Sequence, residues 1–168
     1  VVAIQEGLGV NDILRRQADR LAAAGYLTLA PDLYSDGGVA RCVVTTVRAL
    51  LAGHGKPFAD IDAAADVLRA RDDCTGKVGV IGFCMGGAFA LVAATHDFDA
   101  ASVNYGFLPR HPEHALAGAC PIVASYGRRD LSQRGAANKL ARTLSDLGVE
   151  HDVKEYPDAG HSFLNDAY

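Results

Sequence analysis

Short apolar runs alternate with longer amphipathic ones along this chain, and that alternation predicts its elements. Val1 to Gln5 reads as a strand, followed by a loop from Glu6 to Val10. Asn11 is a suitable N-cap, and Ile13, Leu14, Ala18, Leu21 and Ala22 form a helical stripe that Gly25 ends. Tyr26 to Ala30 is predicted as a second strand, closed by Pro31-Asp32-Leu33-Tyr34. From Val39 to Ala52 the β-branched run Val43 to Val47 competes with helical flanks, and helix is the reading adopted. Phe58 to Arg71 is amphipathic, with Ile61, Ala65 and Leu68 on its inner face. Lys77 to Ile81 reads as a buried parallel strand and Ala88 to Ala94 as an Ala-rich helix. Strands at Ala100 to Tyr105, Pro121 to Tyr126 and Asp152 to Tyr156 follow, with a helix from about Gln133 to Leu147 between the last two.

Strands alternating with helices predict an α/β fold, a mostly parallel sheet flanked by helices on both faces. Functional groups in such sheets lie just beyond the carboxyl ends of the strands. At 168 residues and 49% hydrophobic content the chain can bury one sizeable core, so a single domain over residues 1–168 is expected. The chain opens on Val1 inside a strand and stops at Tyr168 soon after a candidate motif, so both ends read as cut.

A net charge of −4 gives no electrostatic case for nucleic acid or an anionic membrane, and no apolar run would span a bilayer. The four cysteines (Cys42, Cys74, Cys84, Cys120) are scattered without a Cys-x-x-Cys pair. That pattern argues against a zinc ribbon or a disulfide framework and suggests a reducing cytoplasm. His111 and His114 bracket Glu113, but a Pro-flanked loop lacking another ligand makes a poor metal site. No metal or cofactor is expected, and the chain is expected to be a monomer or small homo-oligomer.

The chemistry centres on Gly82-Phe83-Cys84-Met85-Gly86-Gly87, between a strand and a helix. A strand ending in Gly-x-Cys-x-Gly-Gly that enters a helix at once has the pattern of a nucleophile elbow, with Cys where Ser is usual. The sulfur would sit at a helix N-terminus, which favours developing negative charge. Read blandly, the same hexapeptide is a glycine-rich turn with one buried thiol. Strand-end loops elsewhere carry Glu6, Asp32, Asp130 and His161. The order nucleophile, acid, His matches a hydrolase triad of Cys84, Asp130 and His161, in which the base takes the thiol proton and the acid orients the base. Asp130 could instead cap the helix after it, and Asp158 is a poorer orienter because it shares a loop with His161.

The matches Gln5-Glu6 through Gly9-Val10-Asn11, Pro31-Asp32-Leu33-Tyr34, the elbow, Tyr126-Gly127 with Asp130, and Ala159-Gly160-His161-Ser162-Phe163 span nearly the whole chain. Together they resemble the dienelactone hydrolases (carboxymethylenebutenolidases) of the α/β-hydrolase superfamily. The resemblance implies lactone or ester cleavage by the Cys84–His161–Asp130 triad through a thioester. It implies that Glu6 pairs with the resting thiol and withdraws when substrate binds; a carboxylate there would hold the thiol protonated. The backbone N–H groups of Met85 and Gly7 would form the oxyanion hole. Tyr34 and Asn165 are the residues expected on the substrate side. Asn165 stands where family members place an Arg that holds a substrate carboxylate, so that clamp is absent unless Arg41, Arg48, Arg128 or Arg129 replaces it. A small lactone or ester is therefore the expected substrate. A carboxylesterase for neutral acyl groups, or a non-catalytic binding protein on the same fold, are the alternatives.

Overall fold

A computed structural model describes residues 1–165. Its centre is a five-stranded sheet in the order β1-β2-β3-β4-β5, every pair parallel. The strands are β1 (Val2–Ile4), β2 (Gly79–Phe83), β3 (Ala100–Asn104), β4 (Ile122–Gly127) and β5 (His151–Tyr156). The helices are α1 (Asp12–Ala23), α2 (Val39–Ala52), α3 (Lys56–Arg69), α4 (Met85–Ala93), α5 (Pro112–Ala115) and α6 (Ala136–Asp146). Because every pair is parallel, all five carboxyl ends open on one edge.

Side-chain alternation divides the core. Val2 and Ile4 of β1 join the large cluster with Phe58, Ile61, Phe89, Leu140 and Leu144, so α3, α4 and α6 cover one face. Ala3 points the other way and meets Leu14 of α1, with Phe83 and Tyr105. Helix α4 is buried along its whole length, which explains its lack of polar residues. Asn11 caps α1 by accepting the Leu14 N–H at 3.1 Å. The β-branched run at 43–47 is helical in α2, which buries Cys42 and Thr46 one turn apart.

The expected strand from Tyr26 to Ala30 is absent. Only Leu29 bridges to β1, through Ala3 N–H to Leu29 O at 2.9 Å and Leu29 N–H to Val1 O at 3.0 Å. With β1 three residues long, the segment has little to pair with, and Tyr26 is 56% exposed. The short helix α5 in the loop from Gly106 to Gly118 was not anticipated from the sequence.

Candidate active site

Cys84 occupies the turn between β2 and α4 with φ 53° and ψ −115°, a backbone conformation that a side chain rarely adopts. The glycines around it are sterically required. A Cβ on Gly82 would overlap the Gly86 carbonyl, and one on Gly87 would lie 2.6 Å from the Asn104 oxygen. A Cβ on Gly86 would collide with the Ile4 and Gln5 carbonyls. Strand, turn and helix thus press together, and the Cys84 N–H is fixed on Asn104 O at 3.0 Å.

His161 reaches this turn from the loop after β5. Its Nε2 lies 3.2 Å from Cys84 Sγ, and its Nδ1 lies 2.5 Å from Asp130 Oδ2. Asp130 is 5% exposed, and its other oxygen accepts the Ser132 N–H at 3.0 Å and the Ser132 hydroxyl at 2.6 Å. Backbone packing aligns the two loops. The Arg129 N–H donates to Ala159 O at 2.9 Å, and a Cβ on Gly127 would lie 2.6 Å from that oxygen. Burial pushes the Asp130 carboxyl up, but its bonds with Ser132 and His161 outweigh that and leave it below its ordinary value. Asp158 is turned outward, pairing with Arg129 at 2.7 Å.

Burial pushes the Cys84 thiol above its ordinary value. The Met85 N–H opposes that shift, the charges on Glu6 and Asp130 add to it, and the Gly7 N–H opposes it. Met85 and Gly7 therefore present their N–H groups to the sulfur from two sides, one at the start of α4 and one from the loop after β1. Glu6 makes no hydrogen bond to the thiol. Asn165 Nδ2 donates to its two carboxylate oxygens at 3.3 and 3.2 Å. Glu6 therefore raises the thiol through its charge, while the side-chain hydrogen-bonding contact of the sulfur is with His161.

Two expectations need correction. Tyr34 is 2% exposed, and its hydroxyl donates to the Gly7 carbonyl at 3.0 Å. It supports the Gly7 loop from below and does not face substrate. Asn165 is 6% exposed and occupied with Glu6 and with Tyr105, whose hydroxyl donates to Asn165 Oδ1 at 3.4 Å. Of the arginines considered as replacements, Arg129 is held by Asp158, while Arg41, Arg48 and Arg128 are exposed without ion pairs among the described residues.

Sequence reading missed Tyr105, whose ring stands edge-on to His161 at 5.2 Å. Burial first, then Glu6, push its hydroxyl well above the ordinary range, so it stays a donor. Its position directly after β3, at a carboxyl end, was the available signal. Ser132 and Phe107, the latter 6.4 Å from the His161 ring, were also missed. A larger, apolar cleft of about 510 Å³ lies at the opposite, amino-terminal end of the strands, lined by Lys77, Val78, Asp99 and Ala100 among others. It is remote from Cys84 and is lined by none of Cys84, Asp130 and His161. Among the described residues no cluster of His, Cys, Asp or Glu could hold a metal, and His111 and His114 pair only with Glu113. No described helix is long and apolar enough to cross a membrane.

A parallel sheet with a strained, glycine-flanked turn at a strand's carboxyl end is the architecture of an α/β-hydrolase. The model of the dienelactone hydrolase family matches residues 1–168, and the chain belongs to that family. A carboxymethylenebutenolidase of Pseudomonas sp. (strain P51) is 31% identical over 97% of this chain and 73% of its own length. An Escherichia coli (strain K12) protein provisionally given the same name is 30% identical over 99% of this chain and 68% of its own. A Klebsiella pneumoniae protein, provisionally named a dienelactone hydrolase, has a crystal structure that superposes with a TM-score of 0.81. It is 26% identical and the match covers 96% of this chain and 75% of that one. Membership makes this protein a hydrolase of the ester- and lactone-cleaving kind.

Proposed function

We propose that Cys84, His161 and Asp130 are the catalytic residues and that cleavage passes through a thioester on Cys84. The observation that carries this reading is the continuous chain from Sγ to Nε2 at 3.2 Å and from Nδ1 to Asp130 at 2.5 Å, built at the strained turn. Because burial keeps the sulfur as a thiol, His161 Nε2 takes its proton as Sγ attacks the carbonyl carbon. Asp130 accepts the Nδ1–H, fixes the tautomer and stabilises the imidazolium. The Met85 and Gly7 N–H groups receive the carbonyl oxygen as it gains charge. Collapse breaks the C–O bond, His161 returns its proton to the departing alcohol oxygen, and the acyl group stays on sulfur. Water, deprotonated by the same ring, then releases the acid and restores the thiol.

The test uses 4-nitrophenyl acetate. Mass spectrometry of an acid-quenched early time point should find one acetyl group on the peptide bearing Cys84, removable by hydroxylamine. Acetylation elsewhere, or steady turnover by Cys84→Ala, would refute the assignment.

A further inference from the structure

The loop that follows β1 has little to hold it by packing. A Cβ on Gly7 would meet nothing within 4 Å, and Leu8 beside it is 77% exposed. Yet the Gly7 N–H is one of the two backbone groups presented to the Cys84 sulfur. Hydrogen bonds on either side of Gly7 fix its direction instead. Gly9, at φ 87°, turns its N–H back onto the Glu6 carbonyl at 3.1 Å. That carbonyl and the Gly7 N–H belong to one planar trans peptide, so holding the oxygen aims the N–H the opposite way. On the other side of the same residue, the Gly7 carbonyl accepts the Tyr34 hydroxyl at 3.0 Å.

Tyr34 reaches both halves of this arrangement. Its ring lies directly against Gly9, where a Cβ would come 3.3 Å from Cδ2 of the ring. Its hydroxyl oxygen also stands 3.6 Å from Sδ of Met85, the residue that presents the other N–H to the sulfur. Tyr34 is itself locked. It is 2% exposed, and its N–H donates to Asp32 Oδ1 at 2.9 Å. Its carbonyl accepts the Gly38 N–H at 2.7 Å and the Cys42 thiol at 3.7 Å. Gln5 Oε1 accepts the neighbouring Leu33 N–H at 3.3 Å. Burial pushes the phenol above its ordinary value, so it stays protonated and a donor. We infer that Tyr34 is a positioning residue for hydrolysis, setting the aim of the Gly7 N–H relative to that of Met85 where the two receive the carbonyl oxygen. It touches no reacting atom. A donor that needs no reorientation when charge develops is worth the most, and a locked phenol against a side-chain-free loop supplies that rigidity. The inference rests on the hydrolase reading above and gives Pro31-Asp32-Leu33-Tyr34 its part in it.

Tyr34→Phe keeps the ring and removes only the hydroxyl. The Gly7 carbonyl then lacks its donor, and the peptide is free to turn toward another partner. With 4-nitrophenyl acetate, kcat should fall about tenfold while KM stays within about twofold, a smaller loss than the roughly hundredfold or more that removing a hole donor outright costs. A second readout separates positioning from a merely structural role, which would not move the titration of the nucleophile. Because the Gly7 N–H favours the thiolate, the pH profile of iodoacetamide labelling of Cys84 should shift to higher pH in Tyr34→Phe. A kcat equal to the parent's, a loss confined to KM, or superimposed labelling profiles would each overturn the role of Tyr34 and leave the hydrolase reading standing. No turnover by the parent would overturn the hydrolase reading instead, and the labelling profiles would still decide whether Tyr34 sets the Gly7 N–H.

Discussion

Cys84 faces opposing influences within a few ångströms. Burial and two carboxylates hold it as a thiol, while two backbone N–H groups favour the thiolate, and the His161 ring stands 3.2 Å away. The balance can be shifted without touching Cys84, His161 or Asp130. Glu6→Gln removes a negative charge near the sulfur, which favours the thiolate, so the Cys84 pKa should drop. The pH profile of iodoacetamide labelling of Cys84 should then move to lower pH than in the parent; superimposed profiles would mean that Glu6 exerts no field at the sulfur. Cys84→Ala tests the other property of this residue. Its side chain contributes little packing, so hydrolysis should vanish while unfolding free energy stays within about 1–2 kcal/mol of the parent. Urea titration alongside the ester assay measures both.

The elbow depends on glycines as much as on cysteine. Gly82→Ala places a methyl against the Gly86 backbone, which no rotamer can relieve, and should cost about 3 kcal/mol or more. Gly160→Ala meets nothing within 4 Å and should leave the urea midpoint nearly unchanged. Equal midpoints for the two variants would contradict the close approach of β2 and α4. This element was legible in the sequence because its constraint is local: glycines at fixed offsets around one residue leave a readable pattern. The loops after strands, and hence Asp130 and His161, were legible for a similar reason, since the strand rhythm marks where loops begin. What escaped was non-local. Tyr26 to Ala30 has the apolar character of a strand, but pairing depends on a neighbour, and β1 offers it only a bridge at Leu29. Gln5 to Asn11 suggested Glu6 near the thiol, but not that Asn165, distant in sequence, would hold that carboxylate. Arg110 comes from the loop before α5, Arg134 from the loop before α6 and Lys139 from α6 itself, and nothing in their local sequence says that they share a cleft.

Across the molecule the two ends of the sheet are held by different carboxylates. At the carboxyl ends Asp130 joins the loop after β4 to His161 from the loop after β5. At the amino ends Asp99, just before β3, accepts the Lys77 ammonium at 2.8 Å and the Val78 N–H at 2.7 Å, tying the start of β3 to the approach to β2. The Lys77 hydrogen bond, then that of Val78, hold the Asp99 carboxyl below its ordinary value, and Asp130 is likewise depressed. For a carboxyl whose folded pKa is depressed, the unfolded chain takes up its proton first as pH falls. The stability it contributes is therefore complete above the ordinary value of 3.8 and disappears as pH drops through the lower, folded value. The urea midpoint should accordingly be steady from neutral pH to about pH 5 and fall steeply through and below the ordinary aspartate range. Asp99→Asn gives up the Lys77 charge pair at every pH, so its midpoint should be lower than the parent's at neutral pH. Its acid limb should be shallower, with the two curves converging near about pH 2, where the parent's carboxyl is protonated as well. Parallel acid limbs with a constant offset would show that Asp99 titrates alike in the folded and unfolded chain, and that the clamp at the amino end of the sheet carries no pH-dependent stability.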